Sequence, residues 1–283
     1  MSSALITLTS DFGYEDGYVG MMKGVIYSIN PAALLVDLSH SIAAHNIGQG
    51  AFLLHQAYRH FPPTTINLAV VDPGVGTARR AICLIVPEVG YFVGPDNGLF
   101  SYIIKAEQER GANLTAFALT DPTYHRAEVS STFHGRDIFA PIAAHLSLGE
   151  APANFGPAVE IDQLVKLEKF WPEIVQKGQS RLIKGQVAQI DHFGNVITNI
   201  PANLLGELTQ AQRDKIRFKC GWLTAKGLKQ TYGQAKKGQL LILVSSSGFI
   251  EVARVEGMAY VYGTGVEGSP KITVGSPLTL SIS

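Results

Sequence analysis

The chain has 283 residues and is 46% hydrophobic, which is enough to bury one large core or two moderate ones. Lys plus Arg and Asp plus Glu number 23 each, so the chain carries no basic field for nucleic acid or anionic lipid. No apolar run reaches the roughly 18 residues of a membrane-spanning helix, and the first residues lack the positive segment of a secretion signal. We expect a cytoplasmic protein that binds neither nucleic acid nor membrane.

The first part of the chain alternates between strand-like and helix-like apolar patterns. This alternation predicts an α/β N-terminal layered-sheet domain over residues 1–165. Strands are expected at residues 4–8, 34–38, 65–71, 81–86 and 115–119, and helices at residues 18–29, 46–60 and 138–148.

The pattern changes in the second part of the chain. Residues 166–180 carry charges and a proline with little periodicity, which predicts a linker. Residues 181–283 contain short apolar runs, among them RLIKGQVAQI, NVITNI and PLTLSI, separated by Gly, Asn and Lys-Gly turns. This spacing predicts a smaller all-β, barrel-like C-terminal domain.

Cysteine and histidine spacing gives no support to a metal or disulfide site. Cys83 and Cys220 each lie in an apolar run, far apart in sequence, so we expect buried free thiols. The eight histidines include no H-x-x-x-H motif with a helical Glu and no tight cluster of zinc type. We therefore expect no metal ligands.

The segment VDPGVGTARR, residues 71–80, is the most informative motif. The apolar run TINLAVV before it predicts a buried strand, which places Asp72 at the carboxyl end, where open α/β sheets bind ligands. Gly74 and Gly76 allow the backbone to approach a ligand, and Arg79 follows. The alternative is a tight turn that Asp72 merely caps.

Two further motifs of the N-terminal domain precede predicted helices. Asp11 and Asp16 lie in the loop after the first strand, where a carboxylate can accept ribose hydroxyls or pair with an ammonium group; capping of helix 18–29 is the alternative for Asp16. In TFHGRD, residues 132–137, His134 is placed to hold or shuttle a proton, whereas Asp137 suits the helix start.

Two turns of the C-terminal domain carry polar residues. Asp191 to Asn195 (DHFGN) follows a strand, and the Asn195 amide offers a donor and an acceptor suited to a purine edge. Ser245 to Phe249 (SSSGF) follows the apolar run LLILV. Each motif alone is also compatible with an ordinary hairpin turn.

Six motifs together carry a family resemblance. DFG-x-x-D, VDPGVGTARR, GPDNG, TFHGRDIFAP, IDHFGNVITNI and SSSGF-x-E occur in family order over nearly the whole chain. The chain resembles the S-adenosylmethionine (SAM) hydroxide adenosyltransferases, relatives of the fluorinases and chlorinases. The resemblance implies hydrolysis of SAM to adenosine and L-methionine without a metal or other cofactor. It also implies a homotrimer, with each site between the N-domain of one subunit and the C-domain of its neighbour.

The resemblance also implies roles for particular residues. The water-activating positions are Asp72, Arg79 and His134. The substrate-binding positions are Asp11 for the ribose hydroxyls, Asp16 and Asp191 near the methionine ammonium, Asn195 at the adenine edge, and Ser246, Glu251, Tyr232 and Arg254 as further contacts. From the chemistry of these groups, we expect Arg79 to polarise the water, Asp72 to orient it and His134 to relay its proton.

The halogenating relatives differ at positions that the resemblance identifies. They carry tyrosine at the position of Asp72, threonine at that of Val75 and serine at that of Gly135, while Ser247 stands where they have an arginine near the methionine carboxylate. A carboxylate at residue 72 would repel a halide ion, which argues against a halogenase. The remaining alternatives are a metal-dependent nucleotide hydrolase built on Asp11, Asp72 and His134, and a non-catalytic SAM or adenosine sensor.

Overall fold

The structure is a computed structural model that describes residues 4–178, 180–259 and 271–282. The chain divides after Leu167 into two compact units. The first is an α/β sheet domain and the second a nearly closed, antiparallel, barrel-like sheet, which confirms the predicted fold class. Residues 260–270 of the predicted C-terminal domain lie outside the described residues.

The N-terminal unit is built on a mixed sheet. Its strands among the described residues are β1 Leu5–Ser10, β2 Leu34–Ser39, β3 Thr65–Val70, β4 Ala81–Val86, β5 Gly90–Pro95, β6 Thr115–Ala118 and β7 Ala158–Val159. They are arranged in the order β2-β1-β3-β5-β4-β6-β7. The first four in this order are parallel to one another, and β4, β6 and β7 each pair antiparallel with the strand before them in the order.

Helices cover both faces of this sheet. They are α1 Tyr18–Ile29, α2 Ile47–Ala57, α3 Ser101–Glu109 and α4 Ala140–Ser147. Every residue of β3 is buried, and alternate residues enter different cores: Leu68 and Val70 pack with α1 and α4, whereas Ala69 and Val71 pack near α2 and α3. The continuous apolar run TINLAVV reflects this burial on both faces.

The C-terminal unit is an antiparallel sheet whose path nearly closes. Its elements among the described residues are β8 Glu173–Lys177, β9 Ser180–Ile190, β10 Val196–Pro201, α5 Gln210–Lys215, β11 Arg217–Cys220, β12 Leu223–Lys226, β13 Leu240–Val244, β14 Phe249–Arg254 and β15 Pro277–Ile282. The strand order is β12-β11-β15-β9-β10-β14-β13, with β8 beside β9. Leu228, just after β12, bridges Ile242 of β13, so the two ends of the sheet meet.

The predicted linker contains one of these strands. Residues 173–177 form β8, in which Ile174 lies opposite Ile183 of β9. Two β-branched residues, Ile174 and Val175, favour an extended strand at this point despite the surrounding charges. The segment after Leu167 is therefore partly structured.

Candidate active site

The site begins at one edge of the N-terminal sheet. Asp11 directly follows β1, and Asp72 lies two residues beyond the end of β3. The two strands are parallel neighbours with Ser10 opposite Val70, so both acids emerge at the same carboxyl edge. This is the edge at which open α/β sheets bind ligands, as the position of Asp72 after TINLAVV predicts.

Asp72, Arg79 and His134 form one hydrogen-bonded group. Arg79 Nε donates to Asp72 Oδ1 at 3.0 Å and Oδ2 at 2.9 Å, and Nη2 also donates to Oδ2. Nη2 lies 2.8 Å from His134 Nδ1, although 55 residues separate the two in sequence. The structure thus brings together the three residues for which we expect water activation. The alternative, in which Asp72 merely caps a turn, does not account for its pairing with Arg79.

Burial strengthens these contacts. The Asp72 side chain is 4% exposed and that of Arg79 is 10% exposed, and the Arg79 guanidinium lies 5.2 Å from the centre of the Phe139 ring. A charge pair in such surroundings is screened less by water and salt than a surface pair. Arg79 Nη1 has no hydrogen-bond partner among the described residues, so its N–H groups are available to a ligand or a water molecule.

His134 is held as a neutral imidazole. Burial lowers its pKa, and the positive charge of Arg79 lowers the pKa further. Because arginine only donates, His134 Nδ1 must accept the bond from Nη2, which places the imidazole proton on Nε2. The free lone pair of His134 is therefore already engaged, and His134 must release Arg79 before it can accept a proton.

Two glycines pack the loops of the site together. A Cβ atom at Gly76, whose φ is +75°, would lie 2.3 Å from Ser131 O, so only glycine fits between these two loops. A Cβ atom at Gly135 would lie 3.3 to 3.4 Å from Met22, Phe133 and Phe12. The loops that carry Asp11, Asp72 and His134 are thus in mutual contact.

His134 precedes a short π-helix. Residues 135–139 form this π-helix, which continues directly into α4, whereas the sequence predicts an α-helix from residue 138. Asp137 lies in its first turn and is fully buried; it accepts from Ser130 N at 2.9 Å and from Arg136 Nε at 2.6 Å. These bonds tie the preceding loop to the start of the helix. Single π-turns of this kind are frequent at functional sites.

Asp11 and Asp16 differ in their surroundings. Asp11 Oδ2 accepts a hydrogen bond from His45 N at 2.8 Å, and Oδ1 has no hydrogen-bond partner within the described part of the chain, which leaves it for a ligand. Asp16 is exposed, and the residue at the N-cap of α1 is Gly17, without a side-chain capping bond. The alternative in which Asp16 caps this helix is therefore wrong.

In the C-terminal unit, Asp191 organises the turn between β9 and β10. Its Oδ1 accepts from Phe193 N at 2.9 Å and Asn195 N at 2.8 Å, while Oδ2 accepts from Asn195 Nδ2 at 3.0 Å. Asn195 lines a cleft of about 650 Å³ together with Tyr232, Arg254 and Phe193. Asp191 thus fixes the orientation of the Asn195 amide.

Glu251 and Tyr232 form a second polar pair in this unit. Tyr232 Oη donates to Glu251 Oε1 at 2.6 Å, and Glu251 is only 5% exposed. Burial raises the pKa of Glu251, the bond from Tyr232 opposes this effect, and the charge of Asp191 adds to it. Burial and the neighbouring Glu251 also raise the pKa of Tyr232.

The remaining candidates in this unit lie in two positions. Arg254, at the end of β14, lines the cleft, and its buried Nε has no hydrogen-bond partner among the described residues. Ser246 is exposed in the turn between β13 and β14 and is not among the described residues that line this cleft. The structure thus groups Asn195, Tyr232 and Arg254 but separates Ser246 from the cleft wall.

Phe193 is a candidate that the sequence alone did not identify. Its side chain is 70% exposed at the tip of the DHFGN turn, and it lines the cleft beside Asn195. An exposed aromatic ring beside a buried amide provides a flat surface on which a base can stack. The sequence does contain one signal, an aromatic residue within a polar turn, where packing in a core does not account for its presence.

Two further findings concern metals and membranes. Among the residues that the structure describes, no group of three or more His, Cys, Asp or Glu side chains is arranged to hold a metal ion. None of the described helices is both long and apolar enough to cross a membrane.

Two family models together match most of the chain. Residues 6–156 match the model of the SAM hydroxide adenosyltransferase N-terminal domain, and residues 185–267 match that of the C-terminal domain. The chain belongs to the SAM hydroxide adenosyltransferase family. This confirms the resemblance identified from the six motifs.

Individual relatives cover most of this family member. It is 39% identical over 252 residues to a protein of Salinispora tropica named (R)-S-adenosyl-L-methionine hydrolase, which covers 88% of this chain and 89% of the relative. A fluorinase of Actinoplanes sp. is 27% identical, with 91% and 93% covered. The crystal structure of a conserved protein from Thermotoga maritima superposes with a TM-score of 0.82 at 33% identity, covering 97% of this chain and 99% of that one.

Proposed function

We propose that this protein hydrolyses SAM to adenosine and L-methionine. The observation that carries the proposal is the buried group of Asp72, Arg79 and His134 at the carboxyl edge of the sheet. The name of the Salinispora tropica relative, at 39% identity, supports the same activity. No metal or other cofactor is required by this chemistry, because the reacting bond is already activated by the positive sulfonium.

The reaction is an in-line displacement. A water oxygen bonds to ribose C5′ while the C5′–S bond breaks. The electron pair of the C5′–S bond stays on sulfur, which neutralises the sulfonium and gives the methionine thioether. We propose that Arg79 Nη1 polarises the water and that Asp72 Oδ1, which accepts only one bond from Arg79, orients the water and receives its proton. Arg79 itself does not act as a base, since a guanidinium in a protein only donates hydrogen bonds and has no lone pair that accepts a proton.

His134 has a more specific task in this scheme than the relay expected from sequence. Its Nδ1 accepts from Arg79 Nη2, so we propose that it first fixes the plane of the guanidinium. Once the proton is on Asp72, Nδ1 releases Arg79 Nη2 in the proposed second step and takes the proton from Asp72 onward. The relay by His134 remains part of the proposal, as its second step.

The substrate-binding roles are also proposals. Asp11 Oδ1 is free to accept ribose hydroxyls, and exposed Asp16 can face the methionine ammonium. In the C-terminal unit, Asn195 and Phe193 suit the edge and face of adenine. Further contacts are assigned to Asp191, Tyr232, Ser246, Glu251 and Arg254.

The decisive experiment compares the wild type with Asp72→Asn. Purified protein is incubated with SAM, with and without chelator and high chloride, and the nucleosides are separated by chromatography. We expect adenosine and methionine in equal amounts, unaffected by chelator, and a loss of about 10²-fold or more in kcat for Asp72→Asn. Full turnover by the variant with an unchanged pH profile would contradict the role of Asp72.

The same assay separates the alternative functions. 5′-Chloro-5′-deoxyadenosine would identify a halogenase, and loss of activity with chelator would identify a metal-dependent hydrolase. Tight binding of SAM without any product would identify a sensor. Each of these outcomes contradicts the proposed hydrolase.

We also propose that the active form is a homotrimer in which two subunits contribute to each site. Light scattering after size-exclusion chromatography tests the trimer. The sharing of sites is tested by mixing two inactive variants, Asp72→Asn and Asn195→Ala, and allowing their subunits to exchange. We expect activity to return, because some sites then combine an unaltered N-terminal unit with an unaltered C-terminal unit. A mixture that stays inactive despite exchange would contradict shared sites.

A further inference from the structure

A line of four polar side chains lies directly behind the loop that carries Asp11. His40 Nδ1 is 2.7 Å from Ser10 Oγ, and His40 Nε2 is 3.2 Å from Asp37 Oδ1. Lys23 Nζ in turn donates to Asp37 Oδ2 at 2.7 Å. None of these residues belongs to the site proposed above, yet Ser10 is the residue immediately before Asp11.

The direction of the bonds follows from the state of the histidine. His40 is 1% exposed, and burial lowers its pKa although Asp37 raises it, which favours the neutral ring. In the neutral tautomer with the proton on Nε2, Nε2 lies beside the Asp37 carboxylate in a contact without hydrogen-bond geometry, and Nδ1 accepts from the Ser10 hydroxyl. Ser10 Oγ then accepts from Phe12 N at 3.3 Å, on the far side of Asp11.

This Ser-His-Asp line does not supply a nucleophile. Ser10 is fully buried, so its hydroxyl has no access to a substrate. The hydroxyl also bonds to Nδ1 instead of the Nε2 atom that serves as base in serine hydrolases. A structural action on the neighbouring loop is the remaining role.

His40 contacts this loop in two further places. Its carbonyl oxygen accepts from Gly13 N at 2.8 Å, and the edge of its ring meets Tyr14 with centroids 5.1 Å apart. Together with the bond to Ser10, these contacts lie on both sides of Asp11 in the sequence. His40 itself directly follows β2, which is the parallel neighbour of β1.

We propose that His40 is a positioning residue that sets the orientation of the Asp11 carboxylate through Ser10. The proposal rests on the proposed function in one respect, namely that Asp11 binds the ribose hydroxyls. It adds that the ribose contact depends on a buried histidine that touches no substrate atom.

The test is the discrimination between adenosine and 2′-deoxyadenosine, measured by calorimetry, together with KM and kcat for SAM. We expect His40→Ala to raise KM and to reduce the preference for adenosine by about tenfold, with kcat changed far less. His40→Asn, whose amide oxygen can replace Nδ1 as acceptor, should recover most of the preference. His55→Ala is the matched control, because His55 lies in α2 beside Tyr102, away from this loop.

A double-mutant cycle separates positioning from general destabilisation. If His40 acts through Asp11, His40→Ala should change the preference for adenosine by less than about twofold in an Asp11→Asn background. An equal effect in both backgrounds, or no rescue by His40→Asn in a folded protein, would overturn the inference. A wild type that prefers adenosine over 2′-deoxyadenosine but does not turn over SAM would contradict only the proposed function. A wild type without preference for adenosine would overturn the inference itself.

Discussion

Arg79 connects Asp72 and His134, the two residues that take the proton in turn in the proposed reaction. Its Nε and Nη2 bind Asp72, the same Nη2 reaches His134, and its Nη1 is left for the water. A planar guanidinium can satisfy these directions at once, whereas a lysine ammonium is a single point charge on a flexible stem. The geometry of this residue therefore matters as well as its charge.

Replacing Arg79 by lysine tests this requirement. We expect Arg79→Lys to lower kcat by about 10²-fold or more while KM changes little, because the water loses its positioning and the substrate does not. Steady-state kinetics and thermal unfolding provide the measurement. Arg80→Lys is the control, since Arg80 Nε binds Asp96 at 2.8 Å instead. Equal losses in both variants would contradict a specific role for Arg79.

Tyr232 tunes a buried acid, and this gives a prediction about pH. The hydrogen bond from Tyr232 lowers the pKa of Glu251, which burial raises. If the ionised form of Glu251 supports binding of cationic SAM, KM rises as the pH falls through this pKa. In Tyr232→Phe the pKa of Glu251 rises further, so we expect the increase in KM to begin at a higher pH.

The measurement for this pair is the pH profile of KM for the wild type and Tyr232→Phe. Tyr27→Phe is the control, because Tyr27 is exposed on α1, outside the candidate site. Superimposable KM profiles for the wild type and Tyr232→Phe would show that Glu251 does not act in its ionised form.

At the scale of elements, Gly76 joins the loop after β3 to the loop before the π-helix. Gly76→Ala places a Cβ against Ser131 O, which adds a steric clash to the cost of left-handed backbone. We expect a loss of stability above the roughly 1–2 kcal/mol of the backbone term alone, and a lower kcat because His134 shifts relative to Arg79. Chemical denaturation and steady-state kinetics measure the two effects.

Gly111→Ala provides the matched control for Gly76. Gly111 has φ +79°, and no heavy atom of the described residues lies within 4 Å of an added Cβ, so Gly111→Ala measures the backbone cost alone. If Gly111→Ala and Gly76→Ala lose the same stability and have the same kcat, the contact between the two loops does not contribute to activity.

Element prediction succeeded where one periodicity was long and uninterrupted. Helix 18–29 agrees with α1, and Asn46, at the start of the predicted helix 46–60, caps α2 through its side chain. Strand β5 and helix α3 were not predicted, because GYFVGP contains two glycines and a proline and SYIIKAEQE follows a turn motif directly. The insertion of β5 between β3 and β4 depends on pairing between strands, which periodicity does not contain.

The candidate site was predictable to a different degree in each unit. Asp72 could be placed at a sheet edge because a buried strand precedes it, and the resemblance joined it with Arg79 and His134, already noted in their motifs, as the water-activating positions. The contact between Arg79 and His134 could not be derived from spacing, since 55 residues of intervening fold determine it. Phe193 was not predicted, because an exposed aromatic side chain in a turn belongs to no periodic hydrophobic pattern.

For the whole molecule, the titratable groups give the two units opposite responses to acid. Burial lowers the pKa of five histidines, all in the N-terminal unit: His40, His55, His125, His134 and His145. Below about pH 6.5 these histidines bind protons in the unfolded chain but not in the folded unit. The N-terminal unit therefore loses stability as the pH falls. Glu251 acts oppositely, because a raised carboxyl pKa contributes stability at low pH that is lost as the pH rises.

Calorimetry between pH 7 and pH 5 measures this difference. We expect the N-terminal unit to lose about 1.4 kcal/mol of unfolding free energy per pH unit for each histidine that stays neutral, which lowers its unfolding temperature on acidification. The transition of the C-terminal unit should stay level or rise. A parallel decrease of both transitions would contradict this assignment of the titrating groups.

The π-helix at residues 135–139 sets the angular phase of His134 relative to α4. Ala140 N bonds to Gly135 O, so this turn contains one residue more than an α-helical turn would. Deleting a single residue here would restore α-helical winding and rotate everything before it by about 100°, which turns His134 away from Arg79 while α4 stays packed. The extra residue thus sets the direction in which His134 leaves the helix, so the contact with Arg79 depends on the length of this turn as well as on the two side chains.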